Sequence, residues 1–214
     1  MKAITREKAP TDIERLLDNV DKVFLVGCGT CATMCHTGGK PELAEMSKRL
    51  TDMGKEVTGS VVIPTPCDSL DREALAENAK AIQEADCILV LACAFGVQTL
   101  ALYTDKPVYP ALDTMFMGQE MSPDVFSEVC TQCGDCVLGW TGGICPLTAC
   151  PKGLLNGPCG GAKNGKCEVS DSKDCAWEII YDRLRKQGNL ENLRRRRPLR
   201  NFNASTKPGK YVVS

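Results

Sequence analysis

The chain has a single histidine, His36, almost no net charge and no long apolar run. Its 26 basic and 27 acidic residues create no global field that would draw nucleic acid. No stretch approaches the roughly 20 consecutive apolar residues that span a bilayer, so no membrane insertion is expected. The opening Met-Lys-Ala-Ile-Thr-Arg-Glu-Lys lacks the apolar core of a secretory leader, and a cytoplasmic location is expected. No G-x-x-x-x-G-K-[ST] phosphate loop occurs, and Gly160-Gly161 opens no strand-to-helix turn, so no nucleotide-binding motif is present. His36, next to Cys35, is read as a partly exposed polar side chain within reach of a pH response, and not as a ligand.

Cysteine is what the chain has in abundance, with 14 in 214 residues. A reducing cytosol keeps thiols free, so clustered cysteines there point to metal ligation or catalysis before disulfides. The apolar fraction of 43% is enough for a packed core.

Two segments differ in pattern. Residues 1–115 read as an α/β domain. Thr11-x-x-Glu14 reads as a capping box opening a short helix. Lys22–Gly27, Val57–Ile63, Cys87–Ala92 and Pro107–Leu112 are apolar runs of strand length. Between them, Pro41–Thr51, Asp71–Ala85 and Val97–Tyr103 carry helical spacing. Strand alternating with helix predicts a Rossmann-like or flavodoxin-like parallel sheet, and near-continuous apolar strands suit a sheet covered on both faces. Residues 116–190 are predicted to form an irregular cysteine-rich iron–sulfur domain. Ser122-Pro123 there reads as the start of a short helix running to Val129, and a last helix is expected from about Asp174 to Gln187. Residues 191–214 read as a basic, extended tail, with one acid against seven bases from Glu191 to Lys210.

The first set of candidate ligands belongs to the sheet. Cys28, Cys67 and Cys93 each follow a predicted strand, and Cys31 and Cys35 follow Cys28 closely in the run GCGTCATMC. Parallel strands place those ends on one edge, the carboxyl edge where open α/β sheets bind ligands. A [4Fe–4S] cluster needs four thiolates, so one of the five is expected to stand back. Cys87 starts its strand, far from that edge, and reads as a buried small hydrophobe. The second set is Cys130-Thr-Gln-Cys133-Gly-Asp-Cys136, followed by Cys145-Pro146, Cys150-Pro151, Cys159, Cys167 and Cys175. A C-x2-C-x2-C run with a later Cys-Pro is how bacterial ferredoxins hold [4Fe–4S] clusters. The gap from Cys136 to Cys145 exceeds the ferredoxin spacing, and all-cysteine zinc sites remain an alternative. Such a glycine-laced stretch buries little apolar surface, and bound metal would supply its folding energy.

The segment Gly143-Ile144-Cys145-Pro146-Leu147-Thr148-Ala149-Cys150-Pro151, with Leu154-Leu155-Asn156-Gly157-Pro158-Cys159-Gly160-Gly161, resembles the cysteine-rich C-terminal domain of methylenetetrahydrofolate reductase, found as the MetV-type small subunit. The resemblance is close over about residues 122–180. It implies an electron-transfer subunit with two or three [4Fe–4S] clusters, or one zinc in place of a cluster. It further implies a MetF-type partner that carries FMN and reduces methylene- to methyl-tetrahydrofolate, with ferredoxin or another protein as donor. Clusters pass single electrons, methylene reduction takes two, and a flavin joins the two regimes. The competing reading is a zinc or iron–sulfur scaffold that only docks. The arginine run reads as an arm for an acidic partner, a solvated terminus, or a nucleic-acid patch.

Overall fold

Three strand ends must come level for the first cysteine set to meet, and pairing register decides whether they do. A computed structural model describes residues 2–68, 71–205, 208 and 209. The rest of the basic tail, at 206, 207 and 210–214, lies outside the described residues. The chain divides into two compact units, Met1–Ser127 and Glu128–Ser214.

The first unit runs β1 (Lys2–Glu7), α1 (Pro10–Leu16), β2 (Lys22–Cys28), α2 (Cys31–Met34), α3 (Lys40–Asp52), β3 (Glu56–Ile63), α4 (Asp71–Glu77), α5 (Ala79–Glu84), β4 (Cys87–Leu91), α6 (Ala94–Ala101), β5 (Val108–Pro110), β6 (Leu112–Ser122) and β7 (Val125–Glu128). Four strands form a parallel sheet in the order β3-β2-β4-β5. Val23–Val26 and Ile88–Val90 are fully buried, because helices cover both faces. The β2 side chains alternate between those faces. Phe24 lies against Ala81 of α5 through the gap left by Gly59, whereas Gly27 lies under Leu43 of α3. Leu43, Met46 and Leu50 of α3, Leu75 of α4 and Leu100 of α6 complete the core. At the opposite end from the cysteines, the Asp86 carboxylate accepts the Asp21 and Lys22 amides at 3.0 and 2.8 Å, clipping the start of β4 to that of β2. Those two amides hold the carboxyl below its ordinary pKa.

Several expectations need correcting. Helix α1 starts at Pro10 after an Ala9 cap that makes no side-chain bond, so Thr11 is not its N-cap. The Asp71–Ala85 helix is two pieces broken at Asn78. The helix expected from Ser122 to Val129 is a hairpin instead. β6 ends at Ser122, β7 starts at Val125, and Asp124 sits at φ 61° between them. Proline at the first corner and positive φ at the second favour a turn over a helical start. β1, β6 and β7 make a separate three-stranded sheet, with β1 antiparallel to β6. Ion pairs Lys2–Glu120 and Lys8–Asp113 join β1 to β6.

The second unit holds α7 (Pro146–Ala149), β8 (Lys166–Cys167), β9 (Ser170–Asp174), α8 (Ala176–Lys186), α9 (Glu191–Arg194) and a 3-10 turn at Phe202–Ser205. Its core is small: Cys175, Trp177, Ile180 and Leu184 along α8, with Ile144, Cys150 and Leu154 packed on them. The basic segment folds back here. The Arg197 amide donates to Asn156 Oδ1 at 2.8 Å, and its guanidinium lies 3.6 Å from Asp135 and 5.9 Å from the Trp140 ring centroid.

Gly38 shows how tightly the carboxyl edge is packed. Its amide returns to Ala32, and a Cβ there would run into the Leu91 carbonyl and the Ala32 methyl. Gly38→Ala is expected to lower stability by about 2–3 kcal/mol through overpacking against backbone, read as a lower urea midpoint by circular dichroism. An unchanged midpoint would show that the loop yields.

Candidate metal centre

Register brings the first cysteine set to one edge. Cys28 is the last residue of β2 and pairs with Ile63, the last of β3. Its neighbour Gly27 pairs with Leu91, the last of β4. Cys93 follows two residues later as the N-cap of α6, Cys67 lies in the loop after β3, and Cys31 opens α2. The loops are pressed together. The Gly29 amide donates to Ile63 O at 2.8 Å, and a Cβ on Gly29 would stand 3.0 Å from the Pro64 Cα. Gly96, in the first turn of α6, leaves room for Pro66 beside Cys67. Small residues therefore let the Cys67 loop close on the β2 loop and on α6 at once.

Electrostatics binds four of these thiols into one group. Burial raises the Cys67 pKa, and negative charge on Cys93, Cys28 and Cys31 raises it further. A thiolate at Cys67 is therefore disfavoured beside charged neighbours. Cys28 and Cys93 are buried, Cys31 is half-buried and Cys67 reaches solvent. The Thr30 hydroxyl lies 3.4 Å from the Cys28 sulfur. Cys35 is the fifth thiol that stands back: it closes α2 and turns toward Ala3 O of β1, 4.0 Å away. His36 turns away too, with Nε2 3.4 Å from Asp124 Oδ1 at the hairpin. Cys87 is fully buried at the other end of the sheet, and burial with the neighbouring Asp86 charge pushes its thiol up to about 12.

In the second unit the candidates are spread along turns. Cys145 and Cys150 cap the two ends of α7. The Thr148 hydroxyl donates to Val129 O at 3.2 Å, bringing the Cys130 turn beside that helix. Cys150 packs into the apolar cluster that contains Cys175, the N-cap of α8. Cys175 donates its amide to Gly165 O at 2.7 Å, behind Cys167 in β8. Cys133 lies 3.6 Å from Asp135 O, and Cys136 is exposed. Cys159 is exposed as well; the Gly161 amide, 3.5 Å from its sulfur, and then Lys152 lower its pKa. Among the described residues, no three cysteine, histidine, aspartate or glutamate side chains are gathered to hold a single metal ion.

Sequence reasoning missed Asp71. It is fully buried at the start of α4, four residues beyond Cys67, and neither carboxylate oxygen has a hydrogen-bond partner among the described residues. Burial, with the nearby Asp68 charge, pushes it up to about 6. An acid in the first turn of a helix reads as an ordinary cap, so no sequence signal separates it from a surface residue.

The fold and the thiols define a class: a two-unit α/β chain with free cysteines concentrated at the rim of a parallel sheet and along the turns of a second, weakly cored unit. Residues 109–203 match the family described as methylene-tetrahydrofolate reductase C terminal, and this segment is related to that domain. The match takes in the second cysteine set and leaves the strand-end thiols outside it. No curated protein and no solved structure matches the chain. No helix among the described residues is long and apolar enough to cross a membrane.

Asp71 yields a pH test. Its folded pKa lies above the unfolded 3.8, so the folded state holds the proton more tightly, and stability falls as pH rises from about 4 to about 6. Above that window Asp71→Asn is expected to stabilise the chain, by at most about 3 kcal/mol, with the gain vanishing below pH 4. Urea midpoints at pH 4.0 and 7.5 measure this. Equal effects of the substitution at both pH values would contradict a buried, protonated Asp71.

Proposed function

We propose that this chain is the electron-transfer subunit of a methylenetetrahydrofolate reductase complex. On this reading its cysteines hold two or three [4Fe–4S] clusters, with zinc replacing one as the variant form. Electrons arrive from ferredoxin or another protein donor and leave to a MetF-type, FMN-containing subunit that reduces methylene- to methyl-tetrahydrofolate. The relation of residues 109–203 to the reductase C-terminal domain supports the system. The observation that carries the electron-transfer role is the placement of Cys28, Cys31, Cys67 and Cys93 in and after strands that end at one sheet edge.

Four thiols from three strand ends match in number the thiolates that a four-iron cluster takes, which supports the reading. A cube takes one thiolate per corner iron, so its ligand sulfurs stand farther apart than four ligands crowding one zinc at about 2.3 Å each. A cluster bound there would supply one-electron transfer. The chain's own contribution is placement and potential. The order β3-β2-β4-β5 supports a flavodoxin-like reading, in which ligands sit where β2 and β4 lie side by side with their connections leaving in opposite directions. The α6 N-terminus at Cys93 and the Thr30 hydroxyl at Cys28 place positive dipole ends near the sulfurs, which favours the more negative, reduced state. Cys67 and Cys31, the less buried pair, are the way in for electrons. In the second unit, the Gly161 amide and Lys152 already favour the thiolate at Cys159, the protonation state a metal ligand needs.

Anaerobic reconstitution with iron and sulfide tests the reading. The full chain is expected to gain a broad visible absorption that dithionite bleaches. Cys67→Ser is expected to lose about four irons per chain, whereas Cys35→Ser keeps the full count. A colourless protein carrying zinc alone would refute electron transfer and leave the docking scaffold.

A further inference from the structure

Both tryptophans of the chain, Trp140 and Trp177, line one cavity of about 560 Å³ in the second unit. Tyr181 of α8 and the Leu155–Pro158 turn share its wall, and the opposite wall is the run Arg194–Arg197. Trp177 is buried and the Arg197 guanidinium lies 5.9 Å from the Trp140 ring centroid, which leaves part of Trp140 and the Tyr181 ring open. Trp140 and Tyr181 are 41% and 46% exposed. The Trp177 indole N–H is already satisfied by Leu154 O at 3.0 Å, so what it offers the cavity is ring surface.

The charge on the arginine wall is only partly met among the described residues. Arg194 pairs with Glu191 at 2.7 Å. Arg197 spends one guanidinium nitrogen on Asp135, and its other, Nη1, is buried without a hydrogen-bond partner. Arg195 and Arg196 are exposed and have no carboxylate partner among the described residues. Glu178 is the one acid lining the cavity. Arg195 and Arg196 are adjacent cations without a carboxylate partner among the described residues, and like charges repel. A bound anion would relieve that repulsion. The volume lies within the range of small-molecule sites.

We propose that this cavity binds a nucleoside polyphosphate. The base stacks on the open parts of Trp140 and Tyr181, and the phosphates take the open donors of Arg195 and Arg196. Stacking on aromatic side chains is tolerant of base identity, and the planar arginine fork fits phosphate oxygens two at a time. A single carboxylate would leave most of these donors unmet, so several charges on one ligand are required. No phosphate-loop motif is needed, because side chains do the work that loop amides do elsewhere. The site stands independently of the electron-transfer reading, since it uses no cysteine.

The test is calorimetry on the full chain under nitrogen, with tryptophan fluorescence as a second signal that arises only from this cavity. ATP is expected to bind saturably and to quench the tryptophans. The double substitution Arg195→Ala/Arg196→Ala is expected to weaken ATP about tenfold or more, the loss of at least one charge-assisted hydrogen bond, with circular dichroism unchanged. Tyr181→Ala should weaken ATP while leaving tripolyphosphate, the ring-free control, at its already lower affinity. Any of three results overturns the proposal: no saturable signal at millimolar ATP, tripolyphosphate or polyglutamate binding as tightly as ATP, or the double variant binding ATP like the native chain.

Discussion

The gathering of cysteine-bearing strand ends at one edge of a parallel sheet is the constraint around which the first unit is arranged. Parallel pairing of β2 with both β3 and β4 sets their last residues level. Each strand is followed at once by a cysteine-bearing loop. Nothing in an apolar core requires that. Gly38 leaves no room for a side chain and Gly29 and Gly96 little, and Cys67 in the closed loop has its pKa raised by burial and by neighbouring charge. Such an arrangement is unfavourable for bare thiolates and favourable once a cation sits among them.

The second unit works differently. Its core is one face of α8 with a few side chains from the preceding turns, too little for a segment of this length to fold on its own. Cysteines sit at helix ends and turns here, at Cys145, Cys150 and Cys175. These are positions where bound metal would fix the chain most effectively. The basic segment adds a second tie through Arg197, which touches Asp135, Asn156 and Trp140. Removing that arginine's contacts would loosen the Cys133–Cys136 turn and the Asn156–Cys159 turn together.

Much of this was legible in the sequence, for physical reasons. The strands of the parallel sheet are buried on both faces, so they read as unbroken apolar runs, and the convergence of Cys28, Cys67 and Cys93 on one edge followed from their order. Which thiol stands back was not legible, because Cys31 and Cys35 differ by one turn of a four-residue helix whose direction is set by Gly38 and Ala32. β1 was missed because Lys2–Glu7 alternates with polar residues and finds its partner more than 100 residues away. The β6–β7 hairpin was misread because Ser-Pro suits a helix start and a turn equally, and the φ of Asp124 decides between them. The arginine-walled cavity could not be read at all: a charge run looks solvated until the chain is seen to fold back on two tryptophans.

Native mass spectrometry of the full chain, reconstituted and held under nitrogen, bears most directly on the central claim that three strand ends build one redox centre. Comparison of the unaltered chain with Cys93→Ser should show a mass smaller by one four-iron, four-sulfide unit, with the remaining metal untouched. An identical metal complement in both would mean that the strand-end thiols bind nothing together, and the account of the first unit would be wrong.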